Sequence, residues 1–92
     1  MIRSFRDRET RSFFEGQRVA AFQGFARQAA RRLVLLDSAE KLGDLAALPS
    51  NRLEALRGNR AGQHSIRINV RWRVCFRWTD DGPCDVEIVD YH

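Results

Sequence analysis

Asp90, Tyr91 and His92 set a carboxylate, a phenol and an imidazole at three consecutive positions, and these are residue types that move protons. Breaking an RNA strand without a metal requires a base for the 2′-hydroxyl, a cation for the crowded phosphate and an acid for the departing 5′-oxygen. Imidazole and carboxylate suit the first and last tasks, and arginine suits the second. Arginine is abundant upstream: residues 52–78 hold seven (positions 52, 57, 60, 67, 71, 73 and 77) against one acid, Glu54, giving the segment a charge of +6. On composition alone, however, the closing Tyr91 and His92 are a frayed tail before they are a site.

After position 78 the balance inverts. Asp80, Asp81, Asp85, Glu87 and Asp90 are met by no lysine or arginine, for a net of −5. Fifteen of the sixteen basic residues in the chain are arginine. That bias either follows a GC-rich genome or selects the planar fork that pairs bidentately with phosphate, and the sequence alone leaves both readings open.

The elements that would position these groups are read from hydrophobic periodicity. Ile2 and Phe5 bracket a short N-terminal strand, and Asp7 to Thr10 offer capping residues for a short helix around Arg11 to Glu15 that stops at Gly16. Phe22, Ala26, Ala29, Leu33 and Leu36 recur at helical spacing and predict one helix from about Val19 to Leu36. Asp37 and Glu40 read as a capping box opening a second short turn that ends at Gly43, and Pro49-Ser50-Asn51 reads as a loop.

From Ser65 the period becomes two. Ile66, Ile68, Val70, Trp72, Val74, Phe76 and Trp78 alternate with Ser65, Arg67, Asn69, Arg71, Arg73, Cys75 and Arg77. A turn near Asn69 to Arg71 and another at Asp80 to Pro83, leading into a strand from Val86 to Tyr91, predict three antiparallel strands. The expected fold class is therefore α+β, a single domain over residues 1–92, with the N-terminal strand and helices packed on one face of a small antiparallel sheet. The opposite face would present arginines as a platform for a polyanion.

Other chemistries are weaker. His64 shares the parity of Ile66 and Ile68 and is expected at the core edge. Cys75, Cys84, His64 and His92 lack the paired spacing of a zinc site, so neither metal nor cofactor is expected. The two cysteines flank a hairpin turn out of register, which argues against a disulfide. Trp72 and Trp78 share the apolar parity and are expected to pack in the core rather than stack on bases. A hydrophobic fraction of 43% is enough for a core, and the absence of a long apolar run leads to the expectation of a cytoplasmic protein without a membrane segment.

Several stretches taken together carry a family resemblance. Asn51-Arg52-Leu53-Glu54-Ala55-Leu56-Arg57-Gly58-Asn59-Arg60-Ala61-Gly62, Ser65-Ile66-Arg67-Ile68-Asn69, Trp72-Arg73-Val74-Cys75-Phe76 and Val89-Asp90-Tyr91-His92 occur in this order, after the opening Ile2-Arg3-Ser4-Phe5-Arg6. The combination resembles the HigB toxins of the RelE/ParE superfamily and implies a RelE-like fold. It also implies a toxin that enters the ribosomal A site and cleaves translated mRNA, restrained by a HigA-like antitoxin. By that resemblance Arg57 and Arg73 would hold the scissile phosphate, His92 would transfer a proton, Asp90 would share the acid/base role and Tyr91 would orient the nucleotide. Arg60, Arg67, Arg71 and Arg77 would bind RNA phosphates. Position 57 carries arginine where lysine is common in the family, which suits an electrostatic clamp and not a proton donor. A superfamily toxin that binds and poisons DNA gyrase without cutting anything, and a non-toxic RNA-binding module, are the alternatives.

Overall fold

The computed structural model describes residues 1–91. Its chain order is helix α1 (Arg8–Phe14), a 3₁₀ turn (Ala20–Phe25), α2 (Ala26–Ser38), α3 (Leu42–Ala46), and then strands β1 (Glu54–Ala55), β2 (His64–Arg67), β3 (Trp72–Thr79) and β4 (Gly82–Asp90), with short 3₁₀ turns at Pro49–Asn51 and Gly58–Arg60. The four strands form one antiparallel sheet in the order β1-β2-β3-β4, with the helices on one face. The α+β architecture expected from the sequence is the one observed.

The core lies between α2 and the even-numbered face of the sheet. Ala29, Leu33 and Leu36 of α2 pack with Ile66, Val74, Phe76, Val86 and Ile88, and Phe22 and Phe25 close one end. Burying each large side chain contributes roughly 1.5–3 kcal/mol. Trp72 packs against Phe25 (ring centroids 4.7 Å apart) and Phe22 (6.1 Å), and Trp78 packs partly buried against the same core. Both tryptophans therefore belong to the core, as their parity predicts. His64 stacks on Phe76 at the core edge, with centroids 6.2 Å apart. Cys75 and Cys84 are free, and neither pairs with the other in register.

Five expectations are corrected in detail. The N-terminal strand reduces to a single parallel bridge, Phe5 to Val86, flanked by hydrogen bonds from Arg6 N to Val86 O (2.9 Å) and Val86 N to Ser4 O (3.1 Å). This segment, with Thr10 Oγ1 accepting from Ile88 N at 3.0 Å, covers the outer edge of β4 that would otherwise be open to another strand. The first helix begins earlier, at Arg8, because Asp7 caps it by accepting from Thr10 N at 3.4 Å. The long helix is interrupted: its first part is a 3₁₀ turn that ends in the non-helical Phe25 (φ −139°), and α2 starts at Ala26, while Phe22 and Phe25 still reach the core. The expected capping box at Asp37 and Glu40 is displaced. Asp37 lies within α2 and accepts from Ile2 N at 2.8 Å, whereas Asp44 Oδ2 accepts from Glu40 N and Lys41 N at the start of α3, with Gly43 inside that helix. The sheet gains a fourth strand, β1, whose two exposed residues carry no apolar signal.

Both expected turns are present, one between β2 and β3 and one at Asp80-Asp81. Asn69 Oδ1 fixes the first by accepting from Arg71 N (2.9 Å) and Trp72 N (2.8 Å). Between Cys75↔Glu87 and Arg77↔Cys84 the register shifts by one residue, a β-bulge in which Asp85 adopts a left-handed backbone (φ 53°). Its consequence is directional. Pro83 is buried on the helix side before the bulge, Val86 and Ile88 are buried there after it, and Glu87, Val89 and Tyr91 are thereby placed on the arginine side.

Candidate active site on the open face of the sheet

Register places Glu54, Ser65, Cys75 and Glu87 in one cross-strand row of the face away from the helices, and Arg67, Arg73 and Val89 in the next. This face is not uniformly open. The loop between β1 and β2 folds back over the first row: Arg60 Nη1 donates to Glu87 Oε1 at 2.8 Å and to Gln63 Oε1 at 3.1 Å, and a Cβ on Gly62 (φ +90°) would come within 2.7 Å of Arg77 Nη1. Ser65 and Cys75 are fully buried there. Burial pushes the Cys75 thiol up to about 11, against the pull of Arg60 and Arg73, so at neutral pH it is a protonated thiol and no nucleophile.

The second row forms the accessible end. Arg73 Nε donates to Ser65 Oγ at 2.7 Å, and its Nη2 donates to the carbonyl of Arg52 at 2.7 Å. The Arg52 carbonyl is turned by a left-handed backbone (φ 45°, ψ 54°), a conformation that costs a non-glycine residue about 1–2 kcal/mol. Two neutral oxygens thus fix the guanidinium from two directions. Its carbon lies 5.8 Å from the centroid of the Tyr91 ring, within the range of a cation–π contact, and Tyr91 N is anchored to Arg71 O at 2.7 Å. Tyr91 and Arg57 line a cleft of about 340 Å³ together with Glu54, Ala55 and Leu56.

The structure therefore brings together Arg57, Arg73 and Tyr91. Arg67 is beside them, paired in register with Arg73, its Nε donating to Asn69 O at 3.1 Å. Asp90 is placed differently: it pairs in register with Trp72, hence on the helix side, and both its oxygens accept from Arg71, from Nε at 3.3 Å and from Nη2. That contact raises the Arg71 pKa above the ordinary arginine value, chiefly through the hydrogen bond to Asp90. Arg60 is raised in the same way, first by its hydrogen bond to Glu87. Arg77 faces Asp85 at 3.7 Å, and Arg6 adds a second cation to Glu87 at 3.7 Å. His92, expected to transfer a proton, lies outside the described residues.

Ser65 and Arg52 were assigned no role from the sequence. Ser65 carries a readable signal, since its parity places a hydroxyl on the same face as Arg73. The Arg52 carbonyl carries none, because its orientation comes from a backbone conformation that arginine rarely adopts.

A small α+β domain whose sheet carries helices on one face and an anchored guanidinium beside an aromatic ring on the other is suited to hold a phosphorylated strand. The sequence model of the RelE-like toxin of type II toxin–antitoxin system HigB matches residues 3–92. The chain is 46% identical over 50 residues to Toxin HigB-1 of Vibrio cholerae serotype O1, covering 54% of this chain and 53% of that protein. It is 31% identical over 61 residues to Endoribonuclease HigB of Proteus vulgaris, covering 66% of this chain and 65% of that protein. The matched regions thus span between half and two thirds of these relatives. The chain belongs to the HigB family of RelE-like toxins.

Proposed function

We propose that this chain is a metal-independent RNA endonuclease that acts on translated mRNA in the ribosomal A site and inhibits translation. One observation carries the reading: the Arg73 guanidinium, fixed by two neutral oxygens, Ser65 Oγ and the Arg52 carbonyl, faces the ring of Tyr91, which lines a cleft together with Arg57.

In this reading the Tyr91 ring stacks on a base, and Arg57 and Arg73 bracket the adjoining phosphate. The 2′-oxygen attacks phosphorus and the bond to the 5′-oxygen breaks, leaving a cyclic phosphate and a 5′-hydroxyl. Arg73 opposes the negative charge that builds on the phosphorane, where a preorganised donor counts most. His92 carries a proton to or from the reacting oxygens. Asp90, held by Arg71, acts through the orientation of the closing residues or enters the acid/base step after releasing that partner. Arg60, Arg71 and Arg77 contribute to RNA binding in the second rank, since each already faces a carboxylate.

The name Endoribonuclease HigB of the Proteus relative supports strand cleavage, and family membership supports an antitoxin partner. We expect a HigA-like antitoxin with acidic segments matched to the basic surface, recoverable by pull-down. Among the described residues no helix is long and apolar enough to cross a membrane, which is compatible with action at cytoplasmic ribosomes.

Primer extension on cellular transcripts after induction tests the proposal. Breaks phased to codons, dependent on translation, are the expected result. Intact transcripts accompanied by a DNA-damage response would instead support a gyrase-binding toxin.

A further inference from the structure

Next to the Arg67–Arg73 pair lies a second cationic feature. Arg32 of α2, Arg67 of β2 and Arg52, which precedes β1, line one groove of about 400 Å³ together with Ser50, Asn69 and Val70. No carboxylate lines it among the described residues. Among the described residues none of these three arginines makes an ion pair, and the oxygens that hold Arg32 and Arg67 are neutral: Arg32 Nη1 donates to Asn51 Oδ1 at 2.6 Å and Arg67 Nε to Asn69 O at 3.1 Å. Burial and the neighbouring Arg31 lower the pKa of Arg32, the mark of a cation without a counter-charge nearby. Three arginines from separate segments, two of them held at one nitrogen by a neutral oxygen and none in an ion pair among the described residues, make a concavity suited to an anion with several oxygens.

The groove is adjacent to the proposed cleavage site. Arg67 and Arg73 are register partners on neighbouring strands, which lie about 5 Å apart, so the two arginines stand side by side on the face away from the helices. Arg52 joins the two places physically, its carbonyl accepting from Arg73 and its side chain lining the groove.

We infer that Arg32, Arg52 and Arg67 form a subsite for a second phosphodiester of the RNA strand, the one next to the linkage held by Arg73. The subsite rests on the nuclease reading for the identity of its strand, and its role is to set the strand's path and direction across the sheet. It acts in binding, not in bond breaking.

The test uses a six-nucleotide 2′-O-methyl RNA, which lacks the attacking hydroxyl and cannot be cut, with a neutral methylphosphonate placed at each linkage in turn. Affinity is read by fluorescence anisotropy for the full chain and for Arg52→Gln/Arg67→Gln. Arg52→Gln alone serves as the second variant, because it keeps the backbone carbonyl that Arg73 needs. In the unmodified protein, neutralising the linkage beside the most sensitive one should weaken binding about tenfold, the worth of a charge-assisted contact. In the double variant the same neutral linkage should cost less than about twofold, and the slope of log affinity on log salt should flatten by about 0.7, the share of one single-strand phosphate contact. Equal penalties in both proteins at every linkage, or undiminished affinity of the variants, would overturn the subsite. So would a wild-type protein that does not bind the probe. Because the probe is uncleavable, the outcomes separate: intact cellular transcripts with the coupling present would sink the nuclease and keep the groove, and phased breaks without the coupling would do the reverse.

Discussion

Arg60, Arg71 and Arg77 face the carboxylates of Glu87, Asp90 and Asp85, whereas Arg67 and Arg73, in the same sheet, donate to neutral oxygens. The two sets are chemically identical and close in sequence, yet they differ in what a phosphate would find. A guanidinium in an ion pair must give up its carboxylate, or share it, before it can neutralise an incoming anion. One held by a serine hydroxyl and a backbone carbonyl is oriented just as firmly and keeps its full charge. The acid-rich end of the chain thus sorts the arginines: those it reaches fasten the loop, the turn and the closing strand, and those it misses are available to a substrate.

If that division is functional, Arg73→Ala should lower the single-turnover rate on programmed ribosomes by about 10²–10³-fold, the usual loss on removing one preorganised donor, while Arg60→Ala should change it only a few-fold. His92→Ala should cost about 10²–10⁴-fold with folding intact, the contribution of one general acid or base. Similar small losses for Arg73 and Arg60 would erase the distinction, and full activity of His92→Ala would remove the imidazole from the mechanism.

Ser65→Ala sharpens the comparison by leaving Arg73 in place but freeing its Nε. The expected loss is about tenfold in the rate of the chemical step with little change in substrate affinity, since the charge persists and only its aim is lost. A thermal midpoint that falls while the rate per folded molecule holds would make Ser65 merely structural.

The two sets were not equally legible. Alternation from Ile66 to Trp78 reveals the arginine face, because a strand with one buried side must alternate, and Asn69 and Asp80-Asp81 mark the turns that divide the run. The family pattern pointed to Arg57, Arg73 and Tyr91, and these converge. Which arginines are neutralised could not be read, because the pairing depends on the bulge at Asp85. Without that extra residue the parity of β4 would reverse, Glu87 would point at the helices, and Arg60 would lose its carboxylate, keeping only Gln63. Pro83-Cys84-Asp85-Val86 contains no periodic signal that announces the slip. The exposed pair Glu54-Ala55 was illegible for a related reason: a two-residue edge strand is defined by its neighbour's hydrogen bonds and not by burial.

Breaking the paired set should register in stability and not in rate. Glu87→Gln removes the carboxylate that holds Arg60 at 2.8 Å and Arg6 at 3.7 Å, on a strand where the acid is largely buried. Chemical denaturation should show a loss of about 1–3 kcal/mol, with cleavage per folded molecule within a few-fold of the parent. A large kinetic defect with unchanged stability would place Glu87 among the groups that act on RNA.

The smallest effect concerns Cys75, beneath the loop that the Arg60–Glu87 contact fastens. Its thiol is raised in the folded protein to about 11 from an ordinary value of 9.0, chiefly by burial, so the folded state favours the protonated form. Below pH 9 both states carry the proton and this preference costs nothing. Between about pH 9 and 11 the unfolded chain loses its proton first, and folding stability must decline through that window. Cys75→Ala should flatten the decline, although a small packing loss will lower the whole curve. At pH 8 the same burial should let iodoacetamide label Cys84, which is only partly buried, well before Cys75. Glu87→Gln should narrow that gap by loosening the loop. Equal labelling of both cysteines in the parent protein would mean that the loop does not cover the first row in solution, and the difference between the two sets of arginines would then rest on charge pairing alone.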